Sequence, residues 1–359
     1  MKLLLAGGGT GGHLFPAIAL AEQLKSEEPQ GEVLFVGTEK GLEARMLPEL
    51  GWNLKTIEMS GWAGLGGLAR LKVLGKLTKS FVQSRKILRE FNPDVVVGVG
   101  GYASVPALLA AKTLGIPYLV HEQNAWPGLA NRLLGHWAKR VCLSFDEADR
   151  AFHRSPTVLT GNPVRSAMEE CPSLREEKLC LLVFGGSQGA RAINRAVVAA
   201  LTHLSEWRDK LEIVHQSGQL DYEETVRGYK ENDWPNADVR PFINDMAKAY
   251  ANSTLIVCRA GATTLAELTA CGRPAILVPY PHAAAGHQSG NAQALAAKGA
   301  AMVLEERDLT AERLGQLVSG LLHDRTSLKS MSAAAKGLAR PGAAARLLKE
   351  CRAVISETM

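Results

Sequence analysis

The sequence predicts an α/β protein with two doubly wound, Rossmann-like parallel-sheet domains that face each other across a cleft. The chain has 359 residues, 46% of them hydrophobic and 21% charged. This is a globular composition, and the chain is too long for one typical core. Short apolar runs alternate with longer helical patterns, as in parallel sheets built from βαβ units. A strand, glycine turn and helix also follow one another near the start of each half.

This internal repeat identifies the central strands. Residues 3–12 (LLLAGGGTGG) and 181–190 (LLVFGGSQGA) each combine an apolar strand, a glycine turn with a hydroxyl residue, and a helix start. Residues 95–102 (VVVGVGGY) and 255–262 (LIVCRAGA) form a second pair. Such near-continuous apolar runs are typical of strands buried on both faces. Further buried strands are predicted at Val33–Val36, Tyr118–Val120, Ile213–His215 and Ala275–Val278.

The domain boundary is predicted near Thr160-Gly161-Asn162-Pro163, because a proline favours an extended residue before it. We therefore expect an N-terminal domain over residues 1–162 and a C-terminal domain over 163–340. A last helix over 341–359 is expected to pack back on the N-terminal domain. Open α/β sheets bind ligands outside the carboxyl ends of their strands, so all four glycine turns should line the cleft.

Composition narrows the class of protein. The six cysteines form no CxxC pair and no metal-ligand spacing, which is typical of reduced thiols in a cytosolic protein. The first apolar run is shorter than a signal-peptide core, and no stretch of about 18 apolar residues is present to span a membrane. The net charge of +5 is concentrated, because residues 69–90 hold seven basic residues and one acidic residue.

A glycine turn that leads into a helix presents N–H groups and the positive end of the helix dipole, so its natural ligand is an anion such as phosphate. Gly7, Gly9 and Gly12 fit the pattern of dinucleotide-binding dehydrogenases, with Glu39 as the ribose-binding acid. This oxidoreductase hypothesis stays open at this point. A Walker loop is excluded, because His13 occupies the position that needs a lysine.

Glycine turns alone are too weak to hold a nucleotide sugar. One helix N-terminus stabilises a nearby charge by about 0.3–1 kcal/mol, whereas micromolar binding requires about 8 kcal/mol. Side chains must supply the rest, and the second half offers Arg259, Glu267, Gln288 and Asn291 near its strand ends. Because no D-x-D motif is present, we expect neither a metal nor another cofactor. Backbone amides and arginine would then neutralise a diphosphate leaving group.

Several motifs occur together, in order along the chain. They are GGTGGHLFP at 8–16, HEQN at 121–124, GNPVR at 161–165, GGSQGA at 185–190, FINDM at 242–246 and CRAGA at 258–262. With this set the chain resembles the MurG family of bacterial transferases, part of glycosyltransferase family 28. The resemblance covers essentially the whole chain and implies the GT-B fold.

The resemblance also implies an activity and a location. The donor would be UDP-N-acetylglucosamine, and the sugar would be transferred with inversion at its anomeric carbon. The acceptor would be undecaprenyl-pyrophosphoryl-N-acetylmuramyl-pentapeptide (lipid I), which becomes lipid II in peptidoglycan synthesis. The enzyme would work at the cytoplasmic face of the bacterial inner membrane as a peripheral protein.

Donor contacts follow from the resemblance, motif by motif. From the first domain they are Thr10, Gly11, Gly12 and Asn124. From the second domain they are Arg165, Ser187, Ile243, Ala262, Thr263, Thr264, Leu265, Ala266, Glu267 and Gln288. Gln188 on the Ser187 turn and Arg259 at its strand end are further candidates for substrate binding. Ile243 would contact the uracil partly through its backbone, Glu267 the ribose, and the Ser187 turn the diphosphate.

Direct displacement requires a base that takes the proton of the acceptor hydroxyl, and histidine titrates near the working pH. His13 is the predicted catalytic base, because it lies at the exit of the first glycine turn on the acceptor domain. Glu122 is the reserve base, and His121 is expected to be structural. Tyr102, on the second glycine turn, is a candidate acceptor contact.

The segment Leu68–Arg89 is the predicted membrane-binding surface. Its apolar residues, among them Leu71, Phe81 and Leu88, follow a helical spacing and are surrounded by basic residues. Each cation near an anionic bilayer contributes about 1 kcal/mol. The alternative is a core-facing helix with a solvated basic side. Nucleic acid is not expected as a partner, because no aromatic residues interleave the charges.

Other functions stay open on sequence alone. They are a dinucleotide-dependent oxidoreductase, a nonenzymatic UDP-sugar sensor at the membrane, and another GT-B enzyme such as a diacylglycerol glycosyltransferase or a UDP-sugar epimerase. Binding of NADH would identify the first, and failure to release UDP when a lipid acceptor is supplied would identify the second. Donor and acceptor specificity would separate the third from the main hypothesis.

Overall fold

The computed structural model describes residues 1–59, 67–174, 178–235, 237–283 and 286–358, with the backbone alone over 67–74. The chain divides into two compact units. The first unit comprises Met1–Arg165 together with Gly342–Met359, and the second comprises Ser166–Pro341. The first unit is therefore built from both ends of the chain.

Each unit contains one parallel sheet in its described residues. The strands of the first unit are β1 Lys2–Ala6, β2 Glu32–Gly37, β3 Leu54–Thr56, β4 Val95–Gly98, β5 Tyr118–Glu122, β6 Arg140–Leu143 and β7 Thr157–Leu159. The strands of the second unit are β8 Leu179–Phe184, β9 Leu211–Gln216, β10 Asp238–Arg240, β11 Leu255–Cys258, β12 Ala275–Leu277 and β13 Ala301–Val303. Their spatial orders are β3-β2-β1-β4-β5-β6-β7 and β10-β9-β8-β11-β12-β13, with parallel neighbours throughout. The predicted pair of doubly wound parallel sheets is confirmed.

Helices connect these strands. In the first unit they are α1 Gly11–Glu27, α2 Leu42–Glu49, α3 Gly67–Phe91, α4 Ser104–Thr113 and α5 Leu129–Gly135, with a 3-10 helix at Asp146–Ala151. In the second unit they are α6 Ser166–Glu169, α7 Arg191–Ala200, α8 Tyr222–Glu231, α9 Met246–Asn252, α10 Ala262–Cys271, α11 His287–Ala296, α12 Ala311–His323 and α13 Arg325–Gly337, with 3-10 helices at Leu201–Trp207 and Glu306–Asp308. The last helix, α14 Ala343–Ser356, returns to the first unit.

Strand β1 is buried on both faces, which explains its continuous apolar sequence. Leu3 and Leu5 belong to a core cluster that contains residues of α1 and α14. Leu4 and Ala6 belong to a second cluster, which contains residues of α4. Because neighbouring residues of a strand point to opposite faces, a sheet covered by helices on both faces needs apolar residues at every position.

Helix α14 completes the core of the first unit. Leu347, Leu348 and Val354 are fully buried in the same cluster as Leu3. Ion pairs at the helix ends add to this packing, because Arg352 contacts Glu27 and Glu28 at 2.6 and 2.7 Å, and Glu350 contacts Arg140 at 3.0 Å. The N-terminal strand and the C-terminal helix therefore stabilise one another.

Helix α3 contains the segment predicted to bind membranes. Ser80, Ser84 and Leu88 form its buried face, and Leu88, 1% exposed, lies in the core of the first unit. The expectation that Leu88 faces a membrane is therefore wrong, because its position on the helix turns it towards the sheet. Val82 is 61% exposed. Leu68, Leu71 and the other side chains before Gly75 lie outside the described residues.

In the part of the chain that the structure describes, no helix combines the length and the hydropathy needed to cross a bilayer.

Candidate active site

A buried carboxylate, that of Glu43 in α2, organises the turn between β1 and α1. Its Oε2 accepts the N–H of Gly9 at 2.7 Å, and its Oε1 accepts the N–H and the hydroxyl of Thr38 at 2.9 and 3.0 Å. A Cβ atom at Gly8, whose φ is +147°, would overlap this carboxylate, so both space and backbone conformation require glycine. Sequence reasoning missed Glu43. The available signal was an acid in the first turn of a helix that follows Gly41.

The position of Glu43 bears on the dinucleotide hypothesis. In a dinucleotide site the amides of the glycine turn bind the pyrophosphate. Here the Gly9 amide is already bonded to Glu43, and a second anion at this amide would be repelled by the carboxylate. Glu39, the suggested ribose-binding acid, is exposed. The geometry argues against a dinucleotide-dependent oxidoreductase.

His13 lies in the first turn of α1, with one ring nitrogen directed back at the glycine turn. Its Nδ1 is 3.3 Å from the carbonyl oxygen of Gly8 and 3.2 Å from the hydroxyl oxygen of Thr10. A carbonyl oxygen can only accept, so the contact with Gly8 is a hydrogen bond when Nδ1 carries the proton. In that tautomer Nε2 holds a lone pair, which is the state that a general base needs.

The second glycine turn packs against the ring of His13. A Cβ atom at Gly100, whose φ is +92°, would lie 3.0 Å from His13 Cδ2 and 3.1 Å from its Nε2. Tyr102 follows on the same turn and is 39% exposed. Its hydroxyl oxygen lies 3.8 Å from the position that a Cβ of Gly9 would take. The structure therefore brings His13 and Tyr102 together at the carboxyl edge of the first sheet.

Glu122 ends β5 as a buried carboxylate with both oxygens engaged. Oε1 accepts the N–H and the side-chain amide of Asn124 at 2.9 and 3.0 Å, and Oε2 accepts the N–H of Gly128 and the side-chain amide of Asn131 at 3.2 and 2.9 Å. Burial raises the pKa of Glu122, and these hydrogen bonds oppose the rise. The carboxylate thus holds the loop that carries Asn124. Asn131, a second residue missed in the sequence, supports it from α5.

His121 is buried beside Glu122 and is held neutral. Its Nε2 donates to the carbonyl oxygen of Gly161 at 3.1 Å, and its Nδ1 accepts from the side-chain amide of Gln123 at 3.0 Å. Burial lowers the pKa of His121 to about 4, although the hydrogen bond to Gly161 opposes the shift. The imidazole therefore links β5 to the segment that follows β7.

The remaining candidates of the first unit lie at the start of α1 and at the unit boundary. Thr10 is the exposed N-cap residue of α1 and makes no side-chain capping bond, and Gly11 and Gly12 are the first residues of the helix. Arg165 is the last residue of the first unit. Its guanidinium carbon lies 5.7 Å from the centre of the Phe15 ring, on α1.

In the second unit, Ser187 and Gln188 are exposed at the turn between β8 and α7. The N–H of Gly189 closes this turn on the carbonyl oxygen of Gly186 at 3.0 Å. A Cβ atom at Gly189 would overlap the carbonyl group of Ser217, so the turn packs directly on the backbone after β9. Helix α7 begins without a side-chain cap, and such a helix start can bind an anion through its first amides.

Ile243 follows β10 and is buried, while its neighbour Phe242 is exposed. The N–H of Ile243 donates to Oε1 of Gln216, the last residue of β9, at 2.7 Å. Nε2 of Gln216 donates to the carbonyl oxygen of Gly186 at 2.8 Å. Sequence reasoning missed Gln216, because nothing in its local pattern indicates two partners 27 and 30 residues away.

Arg259, directly after β11, is buried and engaged by the protein itself. Its Nη1 donates to the carbonyl oxygens of Val278 and Pro279, both at 3.2 Å. Its Nη2 forms an ion pair with Glu306, and its guanidinium carbon lies 5.2 Å from the centre of the Tyr280 ring. Arg259 therefore holds the end of β11 to the segment after β12, with its charge already balanced.

The segment Ala262–Glu267 forms the first turns of α10. The N-cap residue of this helix is Gly261, so the helix begins without a side-chain cap. Within it the side chains alternate in burial. Ala262, Thr263, Leu265 and Glu267 are buried, and Thr264 and Ala266 are partly exposed. Burial raises the pKa of the Tyr250 phenol, and the neighbouring Glu267 carboxylate raises it further.

Two amide side chains connect the loops after β11 and β12. Gln288, in the first turn of α11, accepts the N–H of Tyr280 at 2.9 Å. Asn291, one turn further along α11, is buried and donates to the carbonyl oxygen of Ala260 at 3.2 Å. Both residues therefore hold this edge of the second sheet.

The candidates of each unit thus gather at the carboxyl edge of their own sheet. In the second unit they follow β8, β10, β11 and β12, and in the first unit they follow β1, β4, β5 and β7. Over the described ranges, no group of three or more His, Cys, Asp and Glu residues has a geometry that could hold a metal ion.

Comparison with known proteins identifies relatives over the whole chain. Residues 3–143 match the glycosyltransferase family 28 N-terminal domain, and residues 180–347 match the family 28 C-terminal domain. A protein of Syntrophotalea carbinolica is 58% identical over 357 residues, covering 99% of this chain and all of the relative. A protein of Geobacter metallireducens is 50% identical over 98% of both chains. Both are named UDP-N-acetylglucosamine–N-acetylmuramyl-(pentapeptide) pyrophosphoryl-undecaprenol N-acetylglucosamine transferase.

Solved structures give a consistent result. The crystal structure of Acinetobacter baumannii MurG has a TM-score of 0.78 at 34% identity and covers 98% of this chain and 99% of that chain. A putative UDP-N-acetylglucosamine 2-epimerase of Listeria monocytogenes has a TM-score of 0.72 at 17% identity, covering 100% of this chain and 97% of that chain. The first similarity confirms the GT-B fold, and the second is a likeness of fold alone.

Replacing Glu43 by glutamine tests the role of the buried carboxylate. In Glu43→Gln one carboxylate oxygen becomes an N–H₂ group, which cannot accept the N–H bonds of the two loops, so a buried donor loses its partner. We expect the free energy of unfolding to fall by about 1–3 kcal/mol, measured by chemical denaturation. The control is Glu39→Gln, an exposed acid in the same connection. Equal stabilities of the two variants would contradict the assigned role.

The buried His121 gives a pH-dependent stability. Its folded-state pKa of about 4 lies below the ordinary value near 6.5, so between these pH values the unfolded chain binds a proton that the folded chain does not. Stability is therefore highest above pH 6.5 and falls as the pH is lowered, by at most about 1.4 kcal/mol per pH unit for this group. We expect His121→Gln to reduce that slope in denaturation experiments between pH 6.5 and 4. His153→Gln, an exposed control, should keep it, and an unchanged slope in His121→Gln would refute the assignment.

Proposed function

This chain belongs to glycosyltransferase family 28, and from this membership we propose that it transfers N-acetylglucosamine from UDP-N-acetylglucosamine to lipid I, forming lipid II in peptidoglycan synthesis. The observation that carries the proposal is full-length identity of 58% and 50% with two transferases named for this reaction. The resemblance seen in the sequence motifs is confirmed. The enzyme is a hexosyltransferase.

We propose that the donor binds at the carboxyl edge of the second sheet. Ser187 and Gln188 are exposed at a turn that leads into the uncapped helix α7, which suits a diphosphate. The backbone at Ile243 would meet the uracil, and Glu267 the ribose. These roles follow the family resemblance, with Gln288 and the remaining residues of Ala262–Glu267 beside them.

The role that we propose for Arg259 differs from the anion contact expected from the sequence. Its guanidinium is held by two carbonyl groups and paired with Glu306, so it would position the loops after β11 and β12 instead of meeting the diphosphate. Charge on the departing UDP would then be stabilised mainly by preorganised amides of the Ser187 turn and α7. Arg165, at the end of the first unit, is proposed as a donor contact.

For the chemical step we propose that His13 is the base. The acceptor hydroxyl attacks the anomeric carbon, its oxygen–carbon bond forms as the bond to UDP breaks, and its proton passes to His13 Nε2. The Gly8 carbonyl oxygen, 3.3 Å from Nδ1, stabilises the protonated ring. Direct attack from the opposite face inverts the anomeric carbon. Tyr102, at the same edge, would contact the acceptor.

Glu122 is proposed as a positioning residue. Its two oxygens each accept two hydrogen bonds from its own loop and α5, so proton transfer to it would break contacts that hold Asn124. We therefore assign Glu122 to the ordering of the donor loop and His13 to proton transfer. Thr10, Gly11 and Gly12 complete the proposed contacts of the first unit.

Substitution of His13 separates catalysis from binding. We expect His13→Ala to lose about 10²–10⁴-fold in kcat, because the acceptor hydroxyl would lose the base proposed to take its proton, while the affinity for UDP stays within threefold of the original. The measurement is radiolabelled transfer from UDP-N-acetylglucosamine to a lipid I analogue, beside calorimetric titration with UDP. His153→Ala, an exposed histidine of the same unit, is the matched control. Full turnover in His13→Ala would remove this residue from the mechanism.

Running the same assay with other acceptors, and without any acceptor, tests the wider proposal. A transferase for lipid I should transfer N-acetylglucosamine to that acceptor and not to diacylglycerol, and it should release one UDP per sugar transferred. Conversion of UDP-N-acetylglucosamine without any acceptor would instead indicate an epimerase.

We also propose that the enzyme works as a peripheral protein at the cytoplasmic face of the inner membrane, through α3. A surface pocket on this helix has an apolar part and a basic rim, and it is lined by Phe81, Val82, Arg85, Lys86, Arg89 and Glu90. The Arg85 guanidinium lies 5.9 Å from the centre of the Phe81 ring. An exposed apolar side chain among cations suits an anionic bilayer surface.

Neutralising two cations of α3 tests this surface. We expect Lys86→Gln with Arg89→Gln to weaken binding to vesicles that contain anionic lipid by about 1 kcal/mol per charge, roughly 30-fold in total, in a sedimentation assay. The control is Lys298→Gln with Arg307→Gln, which removes two exposed cations of the second unit. Equal binding of the two double variants would contradict the proposal, as would binding that does not weaken with salt.

A further inference from the structure

Gln216 occupies a special place in the second sheet. It is the last residue of β9, in register with Phe184 of β8 on one side and Arg240 of β10 on the other. Its side chain is buried, with 3% of its surface exposed. The two neighbouring strands lead directly into the turn that carries Ser187 and into the segment that carries Ile243. Gln216 therefore lies between the two segments to which diphosphate and uracil binding have been proposed.

The carboxamide of Gln216 bonds to both segments at once. Its Nε2 donates to the carbonyl oxygen of Gly186 at 2.8 Å, and its Oε1 accepts the N–H of Ile243 at 2.7 Å. Gly186 has a φ of +94°, a conformation that turns its carbonyl group towards β9. A carboxamide carries a donor and an acceptor on two atoms bonded to the same carbon, so one side chain can contact both segments.

Other contacts also hold these segments. The Ser187 turn packs through Gly189 on the carbonyl group of Ser217, and the N–H of Ser217 donates to the carbonyl oxygen of Arg240, the last residue of β10, at 3.0 Å. The segment after β10 continues into α9, which Asp245 caps by accepting the N–H of Lys248 at 3.0 Å. Gln216 differs in that one side chain bonds directly to the turn and to the segment.

We propose that Gln216 is a positioning residue for the nucleotide, setting the spacing between the Ser187 turn and the backbone of Ile243 and thereby the affinity for the uridine diphosphate moiety. This inference rests on the proposed function. Because the link lies behind the proposed binding edge and its two polar atoms contact backbone groups of the second unit, we expect it to affect donor binding and to leave the rate of the chemical step nearly unchanged. The side chain is not a catalytic residue, since both of its polar atoms are bonded to the backbone.

Two substitutions test the proposal. Gln216→Met keeps the length of the side chain and removes both hydrogen bonds, so we expect about a tenfold rise in the Kd for UDP and in the KM for UDP-N-acetylglucosamine, with kcat within threefold. Gln216→Glu keeps the acceptor for Ile243 but presents a second acceptor to Gly186 when ionised. A glutamate carboxyl ordinarily has a pKa of about 4.3 and is ionised at neutral pH, so we expect the Kd for UDP to rise about tenfold in this variant too.

The matched control is Gln316→Met on the exposed face of α12, where the side-chain amide donates to Oε1 of Glu312 at 3.1 Å. It should leave every constant unchanged. Thermal melting establishes that each variant is folded. If Gln216→Met does not fold, the Kd of Gln216→Glu for UDP decides, since that variant keeps the acceptor for Ile243.

The outcomes separate this inference from the proposed function. A folded Gln216→Met protein with the original Kd for UDP would overturn the inference, and so would a folded Gln216→Glu protein with the original Kd. Unaltered protein that binds UDP without transferring sugar would contradict the proposed function, and the UDP affinities would still decide the role of Gln216. Unaltered protein that does not bind UDP would refute both.

Discussion

Tight glycine turns at the end of a parallel strand bring backbone groups close together, and these groups must find hydrogen-bond partners that the turns cannot supply themselves. In this protein buried side chains at the strand ends and in the first turn of a helix meet that requirement. Glu43 accepts from the turn after β1, Glu122 from the loop after β5, and Gln216 joins the turn after β8 to the segment after β10. The positions of the candidate site residues depend on these contacts, because the residues lie on the turns that the contacts hold.

The two units use the same strand–turn–helix repeat but meet this requirement with different chemistry. In the first unit the bridging groups include two carboxylates, those of Glu43 and Glu122. In the second unit the bridging groups include carboxamides, those of Gln216, Gln288 and Asn291. A neutral bridge avoids the repulsion that a carboxylate would exert on a diphosphate. The carboxamides therefore suit the diphosphate site proposed for the second unit.

Much of the fold could be read from the sequence, because continuous apolar runs such as Leu3–Ala6 are produced by burial on both faces of a sheet. The candidate site residues could be placed too, because a glycine turn that follows a buried parallel strand lies at the carboxyl edge of the sheet. The bridging residues could not be found in this way. Gln216 has its partners on two other connections, and Asn131 acts through Glu122 from a helix. From the sequence Arg259 is a candidate anion ligand, whereas in the structure its guanidinium contacts Glu306 and two carbonyl groups. Leu88 belongs to an amphipathic pattern, and the pattern alone does not show which face of the helix packs on the sheet.

The last helix has a consequence for the order in which the protein forms on the ribosome. Residues Leu347, Leu348 and Val354 belong to the core cluster that contains Leu3, so the unit whose synthesis begins first lacks part of its interior until α14 has been made. The unit formed by Ser166–Pro341 has its complete sequence earlier. The apolar surface of the nascent N-terminal half therefore stays uncovered until α14, which begins at Ala343, 178 residues after Arg165. A transcript cut short before α14 would leave the first unit incomplete, whereas the second would have its whole sequence.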